Sequence, residues 1–141
     1  MIKPLHINIH AKSPVPIYEQ VKLAIKLAIF SGYLAEGDQL TSIRDLSVQL
    51  KINPNTIIKV YGQLEEEGFI TSRQGSGYYV KLDPTKVHKE KYEVFEELSA
   101  EYVHKALGLG YAVDDILKLI QHKYRFQNPN KDTKEPPRAS D

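Results

Sequence analysis

Residues 53–82, NPNTIIKVYGQLEEEGFITSRQGSGYYVKL, change their hydrophobic period halfway along. The first half opens with Asn53, a strong helix N-cap residue, and with Pro54 at the first helical position, where a missing N–H costs nothing. Apolar residues then recur at helical spacing, at Ile57, Val60, Tyr61 and Leu64. Gly68 marks the end of this helix. Aromatic and β-branched residues from Phe69 onward flank the turn at 74–77, which predicts a β-hairpin directly after the helix.

Two more helices are predicted before this stretch. Residues 16–31 carry apolar side chains at three- and four-residue spacing and are followed by a glycine. Ser42 and Asp45 have the spacing of a capping box at the start of a short second helix. Residues 5–10 alternate apolar and polar side chains, which predicts a short edge strand. Three helices and a hairpin, with a short turn between the second and third helices, are the order of a winged helix-turn-helix in an α+β fold.

The chain after the hairpin has a different pattern. Asp83-Pro84 is expected to end the winged domain, and residues 85–89 are expected to form a short polar linker. Two short amphipathic helices follow, and they cannot bury both of their faces against each other alone. We therefore predict a homodimer whose contact residues are Tyr92, Phe95, Leu98 and Tyr102 on the fourth helix and Ile116, Ile120 and Tyr124 on the fifth.

Three segments result from these patterns. Residues 1–83 are predicted to form the DNA-binding domain and residues 84–126 the helical dimerisation segment. Residues 127–141 are polar and contain proline, so we predict a disordered tail.

Composition excludes several classes of protein. The chain has 141 residues and no cysteine, which removes thiol nucleophiles and cysteine-based metal sites. No nucleophile–base pair and no helical pair of histidines can be proposed, so we expect no enzyme activity, no cofactor and no metal. Gly75-Ser76-Gly77 is followed by a strand instead of a helix, which argues against a nucleotide loop. No apolar run approaches the ~18 residues of a membrane span, and no export signal is visible, so a cytoplasmic protein without a membrane partner is expected.

Charge bears on the kind of nucleic-acid binding. The formal net charge of +1 argues against a general polyanion binder, so DNA contact must rest on local charge. The acidic run at 65–67 must then point away from the duplex. A helix about 10 Å wide fits the ~12 Å major groove, and its N-terminus favours phosphate. Glycines in the hairpin turn allow a close approach to the DNA backbone.

Several of these motifs resemble the amino-terminal domain of the GntR family of regulators. The segment at 16–21, PIYEQV, is similar to its opening helix, and GDQLTSIRDL at 37–46 is similar to its Gly-Asp-x-Leu-Pro-Ser-x-Arg-Glu-Leu segment. The end of the third helix at 64–70 and the glycines of the wing also resemble the family. NPNT at 53–56 is similar to the YtrA-type and MocR-type branches, and a chain of this length suits the YtrA type, which ends in two dimerising helices. Thr41 stands where proline is usual, and Ile58 where many members carry arginine.

The resemblance implies a set of DNA contacts. Arg44 is expected to grip a phosphate, Asn55 and Thr56 to meet the backbone or base edges, and the wing near Gly75 to touch DNA. Helix geometry adds Lys59, one turn after Asn55. The full predicted DNA-binding set is Ser42, Arg44, Asn53, Asn55, Thr56, Lys59, Arg73, Gln74 and Gly75.

The function predicted from these features is that of a sequence-specific transcriptional regulator. We expect it to bind an inverted-repeat operator in double-stranded DNA as a dimer and to act as a repressor that competes with polymerase. No residue indicates a small-molecule effector. The alternative is a protein–protein module, since winged helices also serve in that role and the charge is nearly neutral.

Overall fold

The computed structural model describes residues 2–125 and places five helices and one hairpin in them. In chain order the elements are α1 (Ile17–Phe30), α2 (Ile43–Leu50), α3 (Pro54–Glu66), β1 (Ile70–Arg73), β2 (Gly77–Val80), α4 (Pro84–Gly108) and α5 (Val113–Tyr124). This is the predicted winged helix-turn-helix followed by two helices. The chain divides into two compact units between Val87 and His88, slightly beyond the predicted boundary. The predicted disordered tail lies outside the described residues.

The helix starts follow the predicted capping chemistry. The Asn53 side chain accepts a hydrogen bond from the Asn55 backbone N–H at 2.8 Å, which satisfies an amide that has no partner within α3. The Ser42 hydroxyl does the same for the Asp45 N–H at 3.0 Å, so α2 has one half of the expected capping box. Between them, α2 ends at Leu50, and the C-cap residue Lys51 adopts the left-handed conformation with φ 57°. That residue turns the chain sharply from α2 into the cap of α3.

The core of the first unit is built on α3. Its inner stripe of four residues is fully buried, as predicted, and packs against α1 and α2. Two aromatic contacts connect the core to the hairpin, Phe30 with Phe69 and Tyr61 with Tyr78, with ring centroids 6.0 and 5.0 Å apart. The Tyr61 hydroxyl donates to the Thr41 carbonyl at 2.5 Å, and burial raises the pKa of Tyr61. The tyrosine therefore ties the turn before α2 to the core.

A segment from before α2 forms backbone hydrogen bonds with the hairpin. β1 and β2 are antiparallel, with Ile70 opposite Val80 and Arg73 opposite Gly77. Residues 37–40 then pair with the other edge of β2: the Gly37 N–H donates to the Val80 carbonyl and the Val80 N–H to the Asp38 carbonyl, each at 2.8 Å. The Leu40 N–H donates to the Tyr78 carbonyl at 2.9 Å. The chain segment just before α2 is thus hydrogen-bonded to the wing.

The predicted strand at 5–10 is wrong. These residues have no regular structure, and the neighbouring bridge is a single pairing of Ile2 with Gln39. Side chains take the place of a partner strand: the Gln49 amide donates to the Leu5 carbonyl at 2.6 Å, and Gln20 bonds both backbone groups of His10. Leu5 is buried, so the apolar member of the alternation anchors an extended segment and does not mark a sheet.

The predicted linker at 85–89 is also wrong, because α4 already begins at Pro84. The Asp83 carboxylate accepts from the Thr85 N–H at 3.0 Å, and a proline occupies the first helical position. This is the chemistry that starts α3 at Asn53-Pro54, used a second time. The Lys86 ammonium, in the first turn of α4, donates to the Glu67 carbonyl at the end of α3.

The second unit contains the rest of α4 and all of α5. The Asp115 carboxylate accepts from the Ala112 N–H at 2.9 Å and caps the start of α5. Ion pairs one helical turn apart join Lys105 to Glu101 and Lys118 to Asp114, each at 3.0 Å on exposed surface. No helix among the described residues has the length and apolar character to cross a membrane.

Candidate nucleic-acid interface

The outward face of α3 is exposed and free of acidic side chains over its first two turns. Its members lie at intervals of three and four residues, opposite the buried stripe: Asn55, Ile58, Lys59 and Gly62. Thr56, at the side of this face, is half-buried. The helix N-terminus adds a positive dipole at the Asn53 end, where backbone N–H groups point out of the helix. The face can therefore offer both hydrogen-bonding groups and positive charge to a nucleic acid.

Arg44 extends from α2 and is exposed. Within residues 2–125 its guanidinium has no ion-pair or hydrogen-bond partner, so the described acids do not neutralise it. Its backbone carbonyl is occupied, because the buried Ser47 hydroxyl donates to it at 2.8 Å. Ser42, the neighbouring predicted contact, uses its hydroxyl oxygen for the α2 cap. An unpaired guanidinium at this position suits bidentate binding of a phosphate.

Lys59 has a partner that the sequence analysis missed. Its ammonium lies 3.6 Å from the centroid of the Tyr18 ring on α1, a cation–π contact. The Tyr18 hydroxyl donates to the Glu19 carboxylate at 3.2 Å, and this bond raises the pKa of Tyr18. The ring holds the long lysine side chain over the junction of α1 and α3. Tyr18 was visible only as part of the PIYEQV motif, since nothing in the sequence pattern pairs it with Lys59.

The wing is ordered by side chains that sequence reasoning also missed. The Arg73 guanidinium carbon lies 4.0 Å from the centroid of the Tyr79 ring, and the Tyr79 hydroxyl is hydrogen-bonded to the Ser76 hydroxyl. The Gln39 amide donates to the Ser76 carbonyl at 2.9 Å. These contacts fix the tip of the hairpin on both sides and leave Arg73 at its surface.

Glycines allow the tight turn at the wing tip. Gly75 and Gly77 adopt φ of 75° and 121°, which L side chains rarely occupy. A Cβ at Gly77 would lie 3.2 Å from the Gln39 amide nitrogen, close enough to push that amide away. Gln74 and Gly75 are exposed at the tip of the wing.

Two of the three acidic residues at 65–67 are directed towards the protein. The Glu65 carboxylate accepts from the Ser72 N–H and hydroxyl, both at 2.8 Å, and Glu67 pairs with Lys22 and Lys26 of α1. Burial would raise the pKa of Glu67, but the hydrogen bonds from the two lysines lower it below its ordinary value. Two of the three carboxylates are thus held away from the outward face, whereas Glu66 is exposed one turn after Gly62, so the expectation that the whole acidic run points away is met only for Glu65 and Glu67.

The second unit presents an apolar surface. Most of the predicted dimer residues are exposed by about half: Phe95, Leu98, Tyr102, Ile120 and Tyr124. Tyr92 is half-buried, and its ring packs against Phe95 at a centroid distance of 6.1 Å. Ile116 is buried within the chain, with 5% of its surface exposed, so its assignment to the dimer surface needs correction.

A cavity of about 640 Å³ opens on the same unit, and its lining is mainly apolar. Residues from the end of α4 and from α5 form its wall, among them Tyr102, Leu109, Ile116 and Leu119. Among the described residues, no group of three histidine or acidic side chains is placed to hold a metal ion. The mainly apolar lining of the cavity therefore suits the packing of apolar groups.

Comparison with known proteins agrees with this geometry. Residues 17–80 match the family model described as bacterial regulatory proteins, gntR family. The chain is 30% identical over 110 residues to the HTH-type transcriptional regulator YhcF of Bacillus subtilis, covering 78% of this chain and 91% of YhcF. It is 40% identical over 74 residues to the HTH-type transcriptional repressor YtrA of the same organism, covering 52% of this chain and 57% of YtrA.

A solved structure supports the fold. A GntR family transcriptional regulator from Listeria monocytogenes superposes with a TM-score of 0.69 at 28% identity. The match covers 79% of this chain and 97% of that protein, so it includes residues beyond the winged domain.

Proposed function

This chain belongs to the GntR family of bacterial regulatory proteins, to its YtrA type, and we propose that it binds an inverted-repeat operator as a homodimer and represses transcription. As a family member it is a DNA-binding transcriptional regulator and not an enzyme, which agrees with the sequence prediction. The operator, the dimer and the direction of regulation are the proposal.

The outward face of α3 carries the proposal of sequence-specific binding. Asn55 presents an amide, which suits bidentate pairing with adenine in the major groove, and the Lys59 ammonium, held on the Tyr18 ring, would add positive charge one turn further along. Arg44 and the wing residue Arg73 would flank this face with phosphate contacts, which position the protein and carry no sequence information. The capping role of Asn53 and Ser42 keeps backbone N–H groups in place at the two helix starts.

The apolar surface of the second unit supports the homodimer. Side chains such as Leu98 and Ile120 are 54% and 44% exposed, and a soluble monomer rarely leaves so many large apolar groups together in water. A symmetric partner offers an identical surface and buries both copies. Two DNA-binding units related by a two-fold axis would then require an inverted repeat, with half-site centres about 10 base pairs apart.

Repression would follow if such a dimer bound within a promoter. A protein that covers promoter DNA excludes polymerase without any further activity, and YtrA of Bacillus subtilis is itself named a repressor. We place the protein in the cytoplasm with the chromosome.

The test begins with selection of bound duplexes from random DNA by the full chain. The proposal expects a palindromic consensus, a footprint over both half-sites and a steep loss of affinity with salt. Transcription in vitro from a promoter overlapping the selected site should fall as protein is added. Enrichment of non-palindromic sites, or a rise in transcription, would contradict the dimeric repressor.

A further inference from the structure

Ile58 is an unusual member of the outward face of α3. Its side chain is 51% exposed, whereas the adjacent Ile57 is fully buried in the core. The exposed position is set by the helix itself, because Ile58 lies on the same face as Asn55 and Lys59. An aliphatic side chain thus stands in water in the middle of the surface that is proposed to enter the DNA groove.

The neighbours of Ile58 leave it uncovered. Asn55 precedes it by one turn with a short polar side chain, and Gly62 follows it by one turn with none. A Cβ built at Gly62 would meet no atom within 4 Å, so the surface beyond Ile58 is open. A flat partner could therefore approach the helix closely at this point and bury the isoleucine.

We propose that Ile58 packs against the C5-methyl group of a thymine and makes the operator half-site require that base. This inference rests on the proposed docking of α3 in the major groove. The thymine methyl is an apolar group on a major-groove edge that otherwise presents hydrogen-bond donors and acceptors. An aliphatic side chain gains apolar contact with this methyl group, and no other base carries a methyl group on that edge.

The surrounding residues sharpen the expected half-site. The Asn55 amide favours adenine, one helical turn before the thymine contact. Lys59 is held on the Tyr18 ring and so leaves Ile58 to meet the base edge beside it. The half-site should therefore contain an adenine and a thymine in neighbouring base pairs, with the thymine set by its methyl group alone.

The experiment removes that methyl group and nothing else. The probe is the duplex selected from random DNA by the full wild-type chain, with each thymine of one half-site replaced in turn by deoxyuridine. The affinity of the wild-type chain should fall roughly three- to fivefold when one particular thymine is replaced, which is the effect of losing one buried methyl group. The other positions should change little.

Variants of Ile58 complete a cycle with the DNA. Ile58→Ala should bind the thymine duplex more weakly than the wild type does. It should bind the thymine and deoxyuridine duplexes with equal affinity, since the partner of the methyl group is gone. Ile58→Val should keep part of the response. Leu23→Ala is the matched control, because Leu23 is also an exposed aliphatic residue, on α1 and away from the outward face, and its response should equal that of the wild type.

The outcomes separate this inference from the proposed function. If no replacement of thymine by deoxyuridine changes the affinity, the proposed role of Ile58 is overturned and operator binding remains intact. The same follows if Ile58→Ala retains the full methyl response. Failure of the wild type to enrich any sequence overturns operator binding and this inference together.

Discussion

Residues 2–87 and the unit that begins at His88 distribute their apolar side chains in opposite ways. In the described chain, all of the buried hydrophobic side chains except Ile116 lie in the first unit. α4 has no buried residue at all, although it is the longest helix described. The first unit therefore has a core of its own, whereas the second leaves most of its apolar side chains exposed, the surface that the proposed homodimer would bury. Folding and assembly are thus expected to depend on different parts of the chain.

Removing the second unit is the strongest test of this difference. A chain ending at Val87 keeps every buried side chain of the first unit and the Lys86 contact to α3, so it should remain folded but monomeric. Loss of the second half-site should weaken operator binding by about 10²–10⁴-fold, the usual gain from linking two sites. Sedimentation and operator titration measure both effects. A truncated chain that binds the palindrome as well as the full chain would contradict the comparison.

Two isoleucine-to-alanine substitutions give a matched test within the full chain. Ile57→Ala opens a cavity in the core and should lower the free energy of unfolding by about 2–5 kcal/mol. Ile120→Ala removes an exposed side chain and should weaken the dimer instead. Thermal unfolding across a range of protein concentrations separates them, because only the second effect depends on concentration. Equal losses of monomer stability would count against the division.

Charge substitutions test whether DNA contacts only the first unit. Arg44→Ala should weaken operator binding about tenfold for each half-site and reduce the slope of log affinity against log salt by about two, because each protomer of the dimer loses one phosphate contact. Lys118→Ala removes a positive charge from α5 and should leave that slope unchanged. Circular dichroism checks that both variants are folded. Equal changes of slope would extend the DNA contact to the second unit.

The ion pairs of the two units should differ slightly in their effect on stability. Glu67→Gln should cost up to about 1 kcal/mol at neutral pH, since the carboxylate is only partly exposed and meets two lysines. Its pKa is lowered on folding, so the contribution is present above the ordinary value of 4.5 and is lost as pH falls through the lower folded value.

Glu101→Gln is the control, because its pair with Lys105 is largely exposed. It should change the free energy of unfolding by no more than a few tenths of a kcal/mol at any pH. Denaturant unfolding at pH 7 and near pH 3 distinguishes the two variants. A Glu67 effect that persists at the lower pH would show that the glutamine disturbs packing and not charge.

Local chemistry made the winged domain predictable from sequence. Asn53-Pro54 marked the start of α3, and the change of period at Phe69 marked the hairpin, because both signals act between residues close in the chain. Asp83-Pro84 carries the same start signal, but it was interpreted as a stop because it follows a strand. The prediction of a strand at 5–10 was wrong for a different reason. Alternation of apolar and polar residues does not reveal whether a second strand is present to pair with the first.

Parts of the candidate interface could not be predicted because they depend on contacts between distant residues. The Lys59–Tyr18 contact joins α3 to α1, and the Gln39 amide reaches the wing from before α2. Neither pairing has a spacing signal in the sequence. Ile116 was misplaced because an apolar stripe on a helix has two edges, and only packing decides which edge turns inward.

The pairing of residues 37–40 with β2 has a consequence for the order of folding. An isolated two-stranded hairpin is marginally stable in water, and these hydrogen bonds connect positions about 40 residues apart. Closing so large a loop is an entropic cost that local hairpin formation does not carry. The wing should therefore become stable only after α1, α2 and α3 have brought the two segments together. Its amide protons should then exchange with solvent at the rate of global unfolding, the rate also expected for those of α3.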